Sequence, residues 1–364
     1  MKAEAKFPNF RSRVLLGRLA RRQPFFPEPH PRLVEGFLSW YERRCLSIDL
    51  SHIRIDRPIF LVGLPRSGTT MLQDILCAHP EVAFITNTMN DYLPYLCGAE
   101  DIRRRLRLDF ETERFLGDSV PVSAGSPSDA TGFWGKWFKD DAFSLEYRVL
   151  GKGDFTADDL EQIRRVIRRV IWCFGGRGKR FFSKLLGVLP HLVLVKEIFP
   201  DARIIHIVRD ARPTANSMVK ICRLLADRPV RIGGYDRSTG TRKKAFVPYP
   251  HVPRLAEYAK LYGVEDVRTT AHVWNDAISL INEVKGQLPF FFEVRYEDIL
   301  ADPGQQVARI LRFCELPEVD PGCLPFWRKV QGVGSLGHDN RYDNFDVIEE
   351  ICRANLLRYG YLRS

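Results

Sequence analysis

The chain has 364 residues, 45% of them hydrophobic, which suits one large domain with insertions and is enough to bury a sizeable core. Its longest apolar runs, IFLVGL and IIHIV, are strand-length, which argues against a membrane-spanning helix. The formal net charge of +10 suits an anionic partner, and no nucleic-acid-binding motif accompanies it.

In chain order, the first segment, MKAEAKFPNFRSRVLLGRLARRQPFFPEP, is basic and amphipathic. It lacks the apolar core and cleavage site of a secretory signal. Residues 1–56 are expected to form a helical extension packed on the domain, with peripheral contact to an anionic membrane open to it. Residues 57–364 are expected to form a single domain. Strands are predicted at 59–63, 82–86, 181–185, 202–208 and 290–295. Helices are predicted at 69–79, 157–173, 189–198, 212–226, 266–285, 303–314 and 345–358. Strands alternating with helices predict an α/β fold: a central parallel sheet like that of phosphate-loop proteins, flanked by helices. Insertions at about 87–179 and 224–254 interrupt the alternation, and in such folds insertions beyond the strand ends shape the acceptor pocket. Phe133, Trp134, Trp137 and Phe138 read as the core of the first insertion. None of the eight cysteines forms a C-x-x-C pair, which argues against zinc and for reduced thiols in a cytoplasmic protein.

The chemistry begins in GLPRSGTT, residues 63–70. A strand leads in, a helix leads out, and Gly63, Gly68 and Thr70 match the phosphate-loop pattern G-x-x-x-x-G-K-[ST]. The lysine position holds Thr69, and a basic residue, Arg66, stands inside the loop instead. Backbone N–H groups of Ser67 to Thr70 would face an anion at the helix amino end, where the helix dipole favours negative charge. The hydroxyls of Ser67, Thr69 and Thr70 and the guanidinium of Arg66 add donors suited to phosphate or sulfate oxygens.

A second constellation lies in FPDARIIHIVRDARPTANSMVK. Arg209 ends a buried strand, and Ser217 falls about one turn inside the next helix. The two converge on an anion beside the phosphate loop if their strands are neighbours.

Together the two motifs resemble the sulfotransferase family. LPRSGTT is similar to its 5′-phosphosulfate loop, and VRDARPTANS, with arginine and serine eight apart, to its 3′-phosphate motif. SKLLGVLPHLVLVKEIFPDARIIHIVRD, AHVWNDAISLINE and FFFEVRYEDILADPGQQVARILRFCELP resemble the protein-tyrosine sulfotransferase-like branch. The resemblance implies 3′-phosphoadenosine 5′-phosphosulfate (PAPS) as donor, with no metal required. The 5′-phosphosulfate would lie over Arg66, Ser67, Gly68, Thr69 and Thr70. The 3′-phosphate would meet Arg209 and Ser217, and Tyr296 would lie near the adenine. In RKVQGVGSLGHDNRYDNF, Arg328, Lys329 and Ser335 are candidates for the 3′-phosphate, as is Arg341. Lys184 matches a lysine that related enzymes place near the transferred group.

Sulfuryl transfer is an in-line displacement, so the acceptor proton needs a base. The related branch supplies a glutamate soon after the first helix, where this sequence has Thr86, Asn87 and Thr88. Asp91, Asp129 and His79 are the candidates to replace it. The expected reaction is sulfuryl transfer to a hydroxyl of a carbohydrate, lipid or small-molecule acceptor. Alternatives are a non-catalytic 3′-phosphoadenosine nucleotide-binding protein and a phosphate-loop kinase; the missing lysine weighs against the kinase. The sequence leaves the acceptor and the oligomeric state open.

Overall fold

Strand β1 (Ile59–Val62) is four consecutive apolar residues, all buried. A strand without polar alternation needs cover on both faces, and the alternating side chains find it. Phe60 and Val62 join one large core, while Ile59 and Leu61 join a second on the opposite face. The same division runs through β5 (Arg180–Lys184) and β6 (Arg203–Val208). With β2 (Val82–Phe84) and β7 (Phe291–Arg295) they form a five-stranded parallel sheet in the order β2-β5-β1-β6-β7. This computed structural model describes residues 5–21, 30–114, 120–138, 144–176, 178–187, 189–226, 246–319 and 339–363.

Helices cover both faces. On one lie α3 (Thr69–Cys77), α12 (Tyr296–Ala301) and α13 (Pro303–Phe313). On the other lie α7 (Ala157–Cys173), α8 (Leu192–Ile198), α9 (Ala211–Ala226), α11 (Val267–Val284) and α14 (Phe345–Arg358). Their starts are locally encoded. Thr156 and Asp159 form a reciprocal capping box at α7, and Asp302 caps α13, whose first residue is Pro303.

The first insertion adds α4 (Asn87–Asp91), α5 (Leu96–Arg105), a short antiparallel pair β3 (Thr112–Glu113) and β4 (Pro121–Val122), and α6 (Thr131–Phe138). Phe133, Trp134, Trp137 and Phe138 are buried, and the Trp134 indole donates to Ser183 Oγ on β5 at 2.8 Å. The amino-terminal α1 (Phe10–Arg21) and α2 (Arg32–Cys45) rest on this insertion. Leu16 packs with Leu108 and Phe110, and Glu42 accepts the Gly98 N–H at 2.8 Å. Most of the second insertion lies outside the described residues, and α10 (Leu255–Tyr262) follows it.

Candidate active site

The loop leaving β1 depends on its glycines. A Cβ on Gly63 would stand 2.7 Å from the Ile207 carbonyl oxygen on β6, so only glycine lets the loop pass the neighbouring strand. Gly68 has φ +92 and opens α3 in a left-handed conformation, without any side chain capping the helix. The α3 amino end therefore keeps N–H groups available for an anion. Arg66 also has positive φ, +73, uncommon for a residue with a Cβ.

β6 is the parallel neighbour of β1, with Val62 opposite His206. The neighbour condition set by the sequence is met, and the loops leaving both strands lie side by side. The Arg209 guanidinium donates to the Arg66 carbonyl oxygen at 2.9 Å. Arg66 Nε in turn donates to Ser217 Oγ at 2.9 Å. The two anion motifs are thus one connected network.

The Arg209 backbone is clamped. Buried Trp274 donates its indole N–H to the Arg209 carbonyl at 3.0 Å, and Glu297 accepts the next N–H, of Asp210, at 3.2 Å. Burial lowers the Arg209 pKa, and the nearby Arg66 cation pushes the same way against Tyr296 and Glu297. Two like charges held in one pocket favour an anion between them. Trp274 and Glu297 escaped the sequence reading; each looks like an ordinary helix residue until the fold places it.

The other flank of β1 is β5, which ends at Lys184. This lysine is 1% exposed, forms an ion pair with Asp129 at 2.5 Å, and donates to Thr70 Oγ1 at 3.2 Å. Arg114, also absent from the sequence reading, donates to the same Thr70 oxygen at 3.2 Å. Asp129 is 42% exposed, so the pair joins a buried cation to a solvent-accessible carboxylate.

The segment that lacks the glutamate helps place Asp129. The Thr86 hydroxyl accepts the Met89 N–H and donates to Glu100. Asn87 Nδ2 donates to the Ser123 carbonyl at 2.8 Å, and Thr88 Oγ1 to the Ala124 carbonyl at 3.0 Å. The Ser128 N–H reaches the Ile85 carbonyl at 2.9 Å, and the Gln73 amide donates to the Ser128 carbonyl at 3.1 Å. These bonds lash the 123–128 loop along the end of β2 and deliver Asp129 to Lys184. The next residue, Ala130, has φ +51. Backbone held in so sparsely populated a region is often found at functional sites.

Other expectations need correction. His79 Nδ1 accepts the Glu81 N–H and Nε2 faces the Pro317 carbonyl at 3.0 Å, so both nitrogens serve a buried turn. It lies beyond the carboxyl end of α3, some 14 Å of helix from the loop at about 1.5 Å per residue. Asp91 is buried against His30, whose Nε2 lies 3.0 Å from its carbonyl and 3.4 Å from its carboxylate, at the junction with α2. The Ser67 hydroxyl donates to Leu64 within the loop, at 2.7 Å, rather than outward. Tyr296 is 5% exposed: its ring packs on Gly68 and lies under the Arg209 guanidinium at 4.4 Å. It is a platform for Arg209, with little ring surface left for adenine. Arg328, Lys329 and Ser335 lie outside the described residues, and Arg341 is exposed. Among the described residues no cluster of three metal-ligating side chains occurs, and the cysteines are free.

Known proteins with similar sequences and structures bear on this arrangement. The protein-tyrosine sulfotransferase A of Caenorhabditis elegans is 24% identical over 286 residues, covering 77% of this chain and 55% of that protein. The chain therefore spans about half the length of that relative. An omega-hydroxy-beta-dihydromenaquinone-9 sulfotransferase, Stf3, of Mycobacterium tuberculosis is 23% identical over 337 residues, covering 85% of this chain and 76% of that protein. The crystal structure of sulfotransferase STF9 from Mycobacterium avium shares the fold, with TM-score 0.57 and 16% identity over 87% of this chain and 80% of that one. A model described as the sulfotransferase family matches residues 58–239, and one described as a sulfotransferase domain matches 184–323. The first match alone takes in half of the chain and the loops that follow β1 and β6, and the chain belongs to the sulfotransferase family.

Proposed function

We propose that the chain transfers a sulfuryl group from PAPS to a hydroxyl of a carbohydrate, lipid or small-molecule acceptor. The observation that carries this reading is the Lys184–Asp129 pair beside Thr70, on the flank of the phosphate loop opposite Arg209. The residues fit the donor: an uncapped helix amino end, two clustered arginines, and glycines where a Cβ would collide.

PAPS supplies a sulfuryl group on a phosphate leaving group. The loop N–H groups and Arg66 hold the 5′ end, and Arg209 and Ser217 hold the 3′-phosphate. Lys184 offsets negative charge developing at the bridging oxygen. Asp129 accepts the proton of the acceptor hydroxyl as its oxygen bonds to sulfur, replacing the glutamate that related enzymes place after the first helix. The relatives' printed names, for a tyrosine and for a hydroxylated menaquinone, agree with a hydroxyl acceptor.

The test combines calorimetry with 3′-phosphoadenosine 5′-phosphate (PAP) and sulfur-labelled PAPS incubated with candidate acceptors. Asp129→Asn is expected to lower kcat by about 10²- to 10⁴-fold with PAP affinity unchanged. Full turnover in this variant would remove Asp129 from the mechanism. Binding of PAP without transfer to any acceptor would favour a non-catalytic nucleotide-binding protein, and absence of PAP binding would end the donor assignment.

A further inference from the structure

Large hydrophobic side chains are exposed unevenly over the molecule. Thirteen stand out to solvent among the described residues, and seven of them belong to α1 and α2. On α1 these are Phe10, Val14 and Leu15, which leave the buried side to Ser12 and Leu16. On α2 they are Leu33, Val34, Phe37 and Trp40, opposite buried Leu38. Leu33, Phe37 and Trp40 follow i, i+4, i+7 spacing, so they form one stripe, and the rings of Phe37 and Trp40 lie 6.1 Å apart. Exposure is 87% at Leu33 and 53% at Trp40, more than scattered surface residues require.

The charge on α1 and α2 is mainly basic; on α2, Glu42 pairs inward with Arg169 and Glu35 stands half-buried in the first turn. The α1 sequence, FRSRVLLGRLAR, carries Arg11, Arg13, Arg18 and Arg21 and no acidic residue. α2 ends in exposed Arg43 and Arg44. A two-fold dimer through the exposed side of either helix would bring arginine-bearing surface against its own copy, where like charges oppose association. A water-facing helix has no use for a free Leu-Phe-Trp stripe. An anionic lipid surface satisfies both features: apolar side chains enter the headgroup boundary while arginines meet the lipid charge. No described helix is long and apolar enough to cross a bilayer, so the contact is peripheral.

We infer that the exposed faces of α1 and α2 dock the protein on an anionic bilayer. The inner side of α2 fixes where that surface stands. Tyr41 donates to Asp101 of α5 at 2.7 Å, and Glu42 pairs with Arg169 of α7 at 2.5 Å. The docking helix is therefore fastened to the same insertion that carries Asp129. This inference is independent of the donor assignment.

Vesicle flotation with the full chain tests it. Phosphatidylcholine vesicles containing phosphatidylglycerol should carry the protein, pure phosphatidylcholine vesicles should carry much less, and high salt should release it. Phe37→Ser with Trp40→Ser should weaken binding at least about tenfold, because two side chains lose their apolar transfer. Arg11→Gln with Arg13→Gln should weaken binding to the charged vesicles alone. Unchanged circular dichroism and melting temperature would show that the variants still fold. The inference is overturned if the wild type floats with neither vesicle. It is equally overturned if binding ignores both pairs of substitutions, or if the wild type forms a dimer that the Phe37 and Trp40 changes disperse.

Discussion

On the β6 side of the phosphate loop, Arg66 bonds to both Arg209 and Ser217, with Arg66 and Arg209 in the loops leaving β1 and β6 and Ser217 inside the helix that follows β6. On the β5 side, Lys184 is held by Asp129, which arrives from a loop that is itself tied to the end of β2. The first flank is built from what the sheet puts side by side. The second is assembled from an insertion leaning across the sheet. The donor binding and proton removal proposed for these flanks would therefore rest on separately supported parts, and each can be broken alone.

Arg209→Ala is the largest break on the β6 side. It removes a half-buried cation and the guanidinium donor to the Arg66 carbonyl. PAP affinity is expected to fall by about 2–5 kcal/mol, roughly 30-fold to several thousand-fold in Kd, by calorimetry. Thermal stability should change little, because the variant also relieves like charge beside Arg66. The separation of the flanks fails if Asp129→Asn weakens PAP binding as much as Arg209→Ala does.

Gly68→Ala strikes the point where the flanks meet. Its Cβ would lie 2.6 Å from Tyr296 Cε2 and nearer still to Cδ2, and φ +92 disfavours any side chain. Overpacking of this kind costs about 1–3 kcal/mol, measurable by urea unfolding. Adding Tyr296→Ala should recover only part of the loss, since the backbone conformation stays unfavourable and the platform under Arg209 is gone. Full recovery would mean that the ring, and not the backbone, demands glycine.

The same contrast explains how much the sequence disclosed. Strands β1, β5, β6 and β7 and helices α7, α9, α11, α13 and α14 fall within a residue or two of their predicted ranges. Each carries a short-range signal: an apolar run, a cap, or a 3.6-residue period. The adjacency of the GLPRSGTT loop and Arg209 was legible because glycine, arginine and hydroxyl sit at fixed spacing from the ends of strands that prove to be neighbours. Asp129 was only one carboxylate among several, since its placement beside Lys184 depends on where Asn87, Thr88 and Ser128 tie a loop. His79 stands close to the loop in sequence, yet the whole of α3 lies between them. Arg114, Trp274 and Glu297 reach the site only through tertiary packing, which no local pattern records.

The last expected effect concerns acid and the β5 side. His191 is buried, stacked on Phe138 of α6 at 5.2 Å, and its Nδ1 accepts the Leu150 N–H at 3.1 Å. Burial, aided by nearby His251, depresses its pKa from 6.5 to about 4. Above pH 6.5 the ring is neutral in both folded and unfolded chains and contributes no pH dependence. Between 6.5 and about 4 the unfolded chain takes up a proton that the folded one refuses, so stability falls as pH falls. The slope approaches about 1.4 kcal/mol per pH unit, for a total of about 3 kcal/mol. His272, lowered mainly by burial, adds to the slope in the same direction. Glu293, held at about 2 against its burial by His206, Tyr359 and Lys285, loses its contribution only below the ordinary glutamate range. Urea unfolding between pH 7 and pH 5 therefore isolates the histidines, and His191→Gln should flatten most of the fall. Hydrogen exchange at pH 5 locates the effect. Faster exchange in α6 and around Leu150, with β1 and β6 unchanged, would show acid loosening the insertion that carries Asp129 while the donor cradle holds. Equal loss of protection on both sides of β1 would make the two flanks one cooperative unit.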